Sequence, residues 1–185
     1  KADLLLVGGG TPESEEAVLR ALEWIVAHQA KDGGWNFDHT QGTNCAKRCK
    51  RPGSARNARN GATAMALLPL LGAGNTHQSG KHKEVVDRGL RFLLSRQNKK
   101  TGSLHEPQGD MYSHGLAAIA ICEAYAMTND RKLRQPAQGA LEFIAVAQDP
   151  VGGGWRYAPR QPGDTSVVGW QMMALKSGLM GYLDV

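Results

Sequence analysis

Three residues with metal-binding side chains lie in one loop of the sequence. Cys45 and Cys49 are four positions apart, and His39 precedes them with Asp38 beside it. Zinc prefers thiolate and imidazole ligands in a tetrahedron, so this group predicts a zinc site in which the fourth ligand is not identified. Two alternatives fit the same spacing: a local disulfide between Cys45 and Cys49, or two thiols with no bond between them.

A second group of chemically capable side chains is Asp110, Tyr112 and His114, at the start of an apolar stretch. Histidine and tyrosine beside a cavity can act as acid and base. Asp164 is a further candidate catalytic carboxylate, and it too precedes an apolar stretch. The alternative is structural: both aspartates cap helix N-termini, where a carboxylate is favoured, and Tyr112 and His114 pack in the core.

The elements that position these residues follow a pattern that occurs three times. An apolar helical stretch ends in glutamine and is followed by a glycine turn and a bulky side chain, in LEWIVAHQAKDGGW, LRFLLSRQNKKTGSL and LEFIAVAQDPVGGGW. Such self-similarity indicates a repeat architecture. The glycine is expected to end the helix in a left-handed conformation, and the glutamine amide to bind backbone at a neighbouring helix end. The residues assigned this structural role are Gln29, Gly33, Trp35, Gln97, Gly102, Gln148, Gly152 and Trp155.

The second half of each repeat is marked by a glycine. Gly61, Gly115 and Gly169 are each separated by 54 positions, and each opens an apolar run rich in small residues. The glutamine-terminated helices alternate large apolar and charged residues, whereas the glycine-led helices are nearly free of charge. This difference predicts outer amphipathic helices around inner buried ones.

The expected organisation is all-α, with three helical hairpins. Residues 1–16 form an N-terminal extension, and residues 17–185 form the repeat domain, with repeats of about 17–76, 82–129 and 134–182. The first repeat carries an insertion of roughly a dozen residues, which holds the two cysteines, and insertions in repeat proteins often lie on the binding face. The chain begins with Lys1, so it is expected to be a processed or truncated piece.

Composition restricts the class of protein further. With 185 residues and 41% hydrophobic side chains the chain can form one ordinary core, and it has no apolar stretch long enough for a transmembrane span. The net charge of +5 is partly concentrated in a basic cluster near the cysteines, whose residues are expected to have no nearby carboxylate. No aromatic residues are interleaved, so nucleic-acid binding is not expected and a solvated loop is favoured. The basic residues of this cluster are Lys47, Arg48, Lys50, Arg51, Arg56 and Arg59.

Cys122 is read as a small core residue. The compartment of the protein is not indicated by the sequence.

The glutamine–glycine–tryptophan turns resemble the QW repeats of the squalene–hopene cyclase and oxidosqualene cyclase superfamily, which shares its hairpins with the protein prenyltransferase β-subunit. The chain looks most like bacterial prenyltransferase/squalene-oxidase-repeat proteins. This resemblance implies an α/α toroid, here partial, because three hairpins are too few to close a ring of five to seven. It therefore also implies a homo-oligomer or the remainder of a longer toroid. A lipophilic, isoprenoid-like ligand would contact Trp170, Met172 and Met173.

The chemistry of that family is only partly present. The cyclases use a DxDD acid motif before an inner helix, and the matching segment here is QPGDTSVVGW. Asp164 matches the last aspartate, but Gly163 replaces the protonating one and Gln161 the first. Glycine cannot donate a proton to an alkene. The Asp, Cys and His pattern of the prenyltransferase zinc is also not matched, so zinc is possible only at the cysteine loop.

The sequence therefore predicts a cyclase-like or prenyltransferase-like toroid domain that binds a lipophilic ligand and lacks the cyclase acid. Two alternatives stay open. One is a non-catalytic binding or scaffold module. The other is a carbohydrate-active α/α protein that uses Tyr112 and His114, by analogy with lyases of the related α/α-barrel type.

Overall fold

The computed structural model describes residues 8–42, 45 and 49–185. Apart from an isolated bridge between Glu106 and Asp110 and a short 3-10 turn at His39–Gln41, the regular structure of these residues is α-helical. The prediction of an all-α fold is thus confirmed. The helices are α1 (Pro12–Ala27), α2 (Arg59–Gly72), α3 (Lys83–Arg96), α4 (Asp110–Thr128), α5 (Arg131–Ala147) and α6 (Thr165–Met180).

The helices alternate between an outer set and an inner set. Helix α4 packs most extensively against α2 on one side and α6 on the other, while α3 contacts α2, and α5 contacts both α4 and α6. Most of α4 is buried, whereas α3 and α5 each bury one face. The glycine-led runs are therefore the inner helices, as their lack of charge predicts. The first outer helix begins at Pro12, ahead of the predicted repeat boundary at residue 17.

Glycines at equivalent positions allow neighbouring inner helices to approach closely. A Cβ atom added to Gly61 would lie 2.7 Å from the Ser113 hydroxyl, and one added to Gly115 would lie 2.7 Å from the Gln171 amide nitrogen. A larger residue would therefore push the helices apart. Gly169, the third in the series, has no described atom within 4 Å of that position. The 54-residue spacing thus records contacts between successive inner helices.

The glutamines join successive outer helices through their backbones. The Gln29 amide nitrogen donates to the carbonyl oxygens of Gly33 (2.8 Å) and Val85 (2.9 Å), and Val85 lies in the first turn of α3. Gln97 repeats the arrangement with the carbonyl oxygens of Gly102 (3.0 Å) and Pro136 (2.8 Å), the latter in α5. Each glutamine thereby gives a donor to a turn carbonyl and joins that turn to a carbonyl oxygen of the next outer helix.

The third glutamine makes a smaller set of contacts. Gln148 is exposed, and the bond given for its amide nitrogen is to the Gly153 carbonyl oxygen at 2.7 Å. The turn glycines with left-handed backbone are Gly33, Gly102 and Gly153, with φ of 90°, 75° and 74°. Assigning Gly152 to this position was therefore wrong by one residue. The glycine also lies within the turn and does not end the helix, because Gln97 and Gln148 are themselves the C-caps of α3 and α5.

Tryptophan completes the turn in the first and third repeats. The Trp35 indole N–H donates to the Ile25 carbonyl oxygen, and the Trp155 indole N–H to the Ile144 carbonyl oxygen, each at 2.7 Å. Both rings are buried against the helix that precedes the turn. Leu104 of the second repeat fills the same place without a side-chain donor, and its backbone is held differently, as described below.

Candidate functional sites

Asp164 caps the last inner helix. Its Oδ1 atom accepts hydrogen bonds from the backbone N–H groups of Ser166 (3.0 Å) and Val167 (3.3 Å), and from the Ser166 hydroxyl (2.5 Å). The Ser166 hydroxyl and these N–H groups hold the pKa of Asp164 below its usual value. The carboxylate is thus ionised at neutral pH and carries no proton for a substrate.

The capping geometry gives a direct test of this role. Asp164→Ala is expected to lower the Tm by about 2–4 °C, because it removes the acceptor of two N–H groups. Asp164→Asn keeps an acceptor oxygen and is expected to stay close to the wild type. Thermal denaturation followed by circular dichroism measures both variants. Equal Tm values for the alanine variant and the wild type would show that the cap contributes nothing to stability.

Asp110 does not cap its helix, contrary to expectation. It is the first residue of α4, with φ of 48°, and the N-cap residue is Gly109, which has no side chain to accept a bond. The carboxylate that serves a helix N-terminus here is Glu106. Its Oε1 atom accepts from the backbone N–H groups of Asn60 (2.7 Å) and Gly61 (3.1 Å), so a loop of the second repeat caps inner helix α2 of the first.

Tyr112 is connected to Asp164 through a serine. The Tyr112 hydroxyl lies 2.5 Å from the Ser166 Oγ atom, and the Ser166 hydroxyl donates to Asp164. Two of the candidate catalytic residues therefore meet at the N-terminal ends of α4 and α6, beside the ring of Tyr157 at a centroid distance of 6.1 Å. Because Asp164 is ionised and bound to its own helix end, these hydrogen bonds stabilise the junction between α4 and α6.

His114 lies in the core, apart from the hydrogen-bonded side chains of Tyr112, Ser166 and Asp164. It is fully buried, its Nδ1 atom accepts from the Leu104 backbone N–H at 3.0 Å, and its Nε2 atom donates to the Ala140 carbonyl oxygen at 3.1 Å. These two partners fix the neutral tautomer, and burial lowers the pKa of His114 to about 4. Both ring nitrogens are thus used to hold backbone, so the geometry favours packing over acid–base chemistry.

His114 and Asn60 together hold the turn of the second repeat. Asn60 donates its side-chain N–H to the Leu104 carbonyl oxygen at 2.9 Å, while the Leu104 N–H donates to His114. Asn60 and His114 occupy equivalent positions of α2 and α4, directly before the glycines of the 54-residue series. The adjacent inner helices α2 and α4 therefore both form hydrogen bonds with the backbone of Leu104, the residue that replaces tryptophan in this repeat.

The residues expected to line a ligand cavity lie on the last inner helix. Met172 and Met173 are 54% and 46% exposed, and Trp170 is half-buried beside α4. Met173 is equivalent in the repeat to Met65 of α2, which is 50% exposed, and to Ile119 of α4, which is 7% exposed. Apolar side chains thus follow the same line across all three inner helices. We call Met65, Ile119 and Met173 the methionine row.

Two grooves of the described chain have charged residues in their walls. One of about 810 Å³ lies where the Gln97 turn meets α5, and its walls include Lys99, Arg134 and Glu142. A second, of about 750 Å³, lies beside Asp32 and Arg59. Charged walls are unsuited to an aliphatic ligand, whereas the side chains of the methionine row are apolar, which makes that row the candidate surface for one.

The cysteine loop brings a different histidine to the cysteines than the one expected. A ring nitrogen of His28 and the Sγ atoms of Cys45 and Cys49 all lie within 4.8 Å of one another. His39 is placed nearby, with its ring centroid 5.8 Å from that of His28 and its Nε2 atom 3.2 Å from the Lys50 carbonyl oxygen. No disulfide joins the described cysteines.

The basic cluster is partly neutralised, contrary to the expectation that it lacks nearby carboxylates. The Arg56 guanidinium lies 3.0 Å from Asp38, and Arg59 forms a two-bond pair with Asp32 at 2.6 and 2.8 Å while covering the ring of Phe92. Arg59 lowers the pKa of Asp32. Lys47 and Arg48 lie outside the described residues. Two of the cluster's cations thus brace the loop.

Sequence reasoning missed three polar residues that the structure places at key contacts: His28, Asn60 and Ser166. Asn60 had a usable signal, since it occupies the position of His114 one repeat earlier. His28 also had one, since it is a histidine that ends a helix directly before Gln29. Ser166 occupies the position of Tyr112 one repeat later. The role of Glu106, in the preceding loop, is identified by its spatial neighbours.

Comparison with known proteins supports one family. The model of the squalene-hopene cyclase C-terminal domain matches residues 4–115, more than half of the chain. A squalene–hopene cyclase of Bradyrhizobium diazoefficiens is 30% identical over 92 residues, which are 49% of this chain and 12% of that enzyme. The match therefore spans only a small part of the relative. No solved structure matches the chain. None of the described helices is long and apolar enough to cross a membrane.

Proposed function

Because the chain belongs to the squalene-hopene cyclase C-terminal domain family, we propose that it binds a lipophilic, isoprenoid-like ligand and does not perform the cyclase protonation. Family membership agrees with the resemblance drawn from the glutamine–glycine–tryptophan turns and with the cyclase-like α/α toroid fold. The proposal extends this membership to a ligand, and the methionine row is the observation that carries it.

The methionine row offers the surface that such a ligand needs. Met65 and Met173 flank Ile119, and each of the two methionines exposes about half of its side chain. Methionine is unbranched and polarisable, so it adapts to flexible hydrocarbon chains. Covering each exposed methionine side chain with a hydrocarbon ligand would contribute up to about 1–2 kcal/mol.

The proposed loss of the cyclase protonation rests on Gly163. By the resemblance of its segment to the DxDD motif, Gly163 stands where the cyclases have their proton donor, and a Cβ atom there would lie 3.1 Å from the Cα atom of Gly154. The two glycines bring the turn of the third repeat against the segment before α6. A carboxylic acid at position 163 would have to displace this contact, and Asp164, the remaining carboxylate, is held ionised as a helix cap.

The ligand proposal is tested with squalene and farnesyl diphosphate as probes, by titration followed through tryptophan fluorescence, since Trp170 lies on the same helix as Met173. Met173→Ser is expected to weaken binding about tenfold, because it removes apolar contact area. Val146→Ser is the control, since Val146 is an apolar side chain that is more exposed than Met173 (66% against 46%) but lies on outer helix α5. Binding of neither probe, or equal weakening by both variants, would refute the proposal.

A scaffold role is the second candidate, and one observation favours it. Helix α6 exposes the apolar side chains of Met172, Leu179 and Met180. Gly169 of the same helix has open space beside its α-carbon, whereas the equivalent Gly61 and Gly115 each contact a neighbouring helix. This face has the properties of a surface that another hairpin covers. Sedimentation equilibrium of the wild type and of Met172→Glu distinguishes the roles: self-association that the charge abolishes supports the scaffold.

A carbohydrate-directed activity is not proposed, because both ring nitrogens of His114 are occupied by hydrogen bonds to the backbone.

A further inference from the structure

The insertion of the first repeat, between Gln29 and Gly61, folds back onto the end of α1. There a ring nitrogen of His28 meets the Sγ atoms of Cys45 and Cys49, all within 4.8 Å of one another. We propose that these three side chains bind a zinc ion, which fastens the insertion to the outer helix. Zinc is the metal that this ligand chemistry favours, since thiolate and imidazole ligands suit it and oxygen-preferring cations do not.

The orientation of His28 is that of a metal ligand. Its Nδ1 atom lies 2.6 Å from the Trp24 carbonyl oxygen, an acceptor, so Nδ1 carries the proton and Nε2 keeps its lone pair. Nε2 is buried and has no hydrogen-bond partner among the described residues. A buried nitrogen without a partner requires an explanation, and metal-binding histidines commonly donate their other N–H to a backbone carbonyl in this way.

The surroundings of the three side chains also suit a structural metal. His28 and Cys45 are 5% and 4% exposed, and the Trp24 ring stacks on His28 at a centroid distance of 3.9 Å. Two thiolates and a neutral imidazole balance the charge of Zn²⁺, so the complex can be buried without a net charge. In a tetrahedral site with Zn–S bonds of about 2.3 Å the ligand atoms are about 3.8 Å apart, so binding requires a contraction of about 1 Å.

Neighbouring acidic and imidazole groups are engaged elsewhere. Asp38, which is buried, accepts a hydrogen bond from the Thr40 N–H and pairs with Arg56, so its carboxylate holds the loop. His39 directs Nε2 toward the Lys50 carbonyl oxygen. Both interactions shape the loop that brings Cys45 and Cys49 to His28, and neither residue is needed as one of the three ligands.

The experiment measures metal in the full chain, purified under reducing conditions. Elemental analysis is expected to find close to one zinc per chain. Replacement by Co²⁺ should give the intense near-ultraviolet charge-transfer absorption of thiolate ligands. Cys45→Ser changes one atom and should weaken zinc binding by more than about 100-fold, since it removes a ligand and not merely a supporting group. His28→Ala should do the same, and His28→Cys should restore binding.

Cys122→Ala is the matched control, because Cys122 is a fully buried thiol of α4 and burial raises its pKa to about 12. This variant should keep the full zinc content. Three results would overturn the proposal: unchanged zinc affinity in Cys45→Ser, a cobalt complex without thiolate absorption, or a reduced wild type that takes up no metal. If His28→Ala does not fold, Cys45→Ser and the wild-type cobalt spectrum still decide.

Discussion

Replacing Gln97 with alanine is expected to lower the free energy of unfolding by about 1–3 kcal/mol, whereas the same change at Gln148 should cost less than about 1 kcal/mol. The buried Gln97 amide donates to the carbonyl oxygens of Gly102 and Pro136. Alanine would remove both bonds and leave the Gly102 carbonyl without its donor, whereas the Pro136 carbonyl also lies within the hydrogen-bond ladder of α5. Each buried acceptor that loses its partner costs about 1–3 kcal/mol. Gln148 is exposed and bonds to Gly153, whose carbonyl can turn to water.

Urea denaturation of the two variants measures the difference, because both remove the same atoms from equivalent positions of the repeat. Gln97→Met serves as a further control, since it keeps most of the volume of the side chain and removes the amide that makes the hydrogen bonds. The methionine variant should recover little of the lost stability. Equal losses for Gln97→Ala and Gln148→Ala would show that the bond between successive outer helices is unimportant.

The architecture was readable from the sequence because its contacts recur. Gly61 and Gly115 stand 54 positions apart since each meets the next inner helix, and Gln29 and Gln97 recur since each binds the next outer helix. Periodic contacts leave periodic residues, so the all-α class and the order of the helices followed from spacing and composition, while the toroid was implied by the family resemblance. The exact turn glycine did not, because the first repeat places it four positions after glutamine and the others place it five after.

The contacts at the candidate sites were less predictable, because they join segments that no periodicity connects. His28 lies 17 positions before Cys45, and only the return of the insertion onto α1 brings them together. Asp110 and Asp164 hold the same register, yet only Asp164 caps its helix, since Asp110 has a left-handed backbone and Glu106 serves a different helix. Equivalent positions in a repeat thus predict equivalent helices, while the backbone and the side-chain partners at a helix start depend on the local loop.

Lowering the pH from about 6.5 to about 4 is expected to remove about 3 kcal/mol of stability through His114 alone. Burial lowers its pKa from 6.5 to about 4 in the folded chain, so the native state keeps His114 neutral while the unfolded chain takes up a proton. The unfolded state therefore binds more protons in this window, and stability falls as pH falls. The stabilising contribution is complete above pH 6.5 and lost at about pH 4.

The His114→Gln variant isolates this contribution from the carboxylates that also titrate at acid pH. It is expected to be less stable at every pH, because the flexible amide does not reproduce the positions of the two ring nitrogens that bind the Leu104 N–H and the Ala140 carbonyl oxygen. Its free energy of unfolding should fall less steeply between pH 6.5 and 4, by about 1.4 kcal/mol per pH unit, which corresponds to one proton. If the free energies of unfolding of His114→Gln and of the wild type fall in parallel with pH, His114 takes up its proton as readily in the folded chain as in the unfolded one. That result would contradict the lowered pKa of His114.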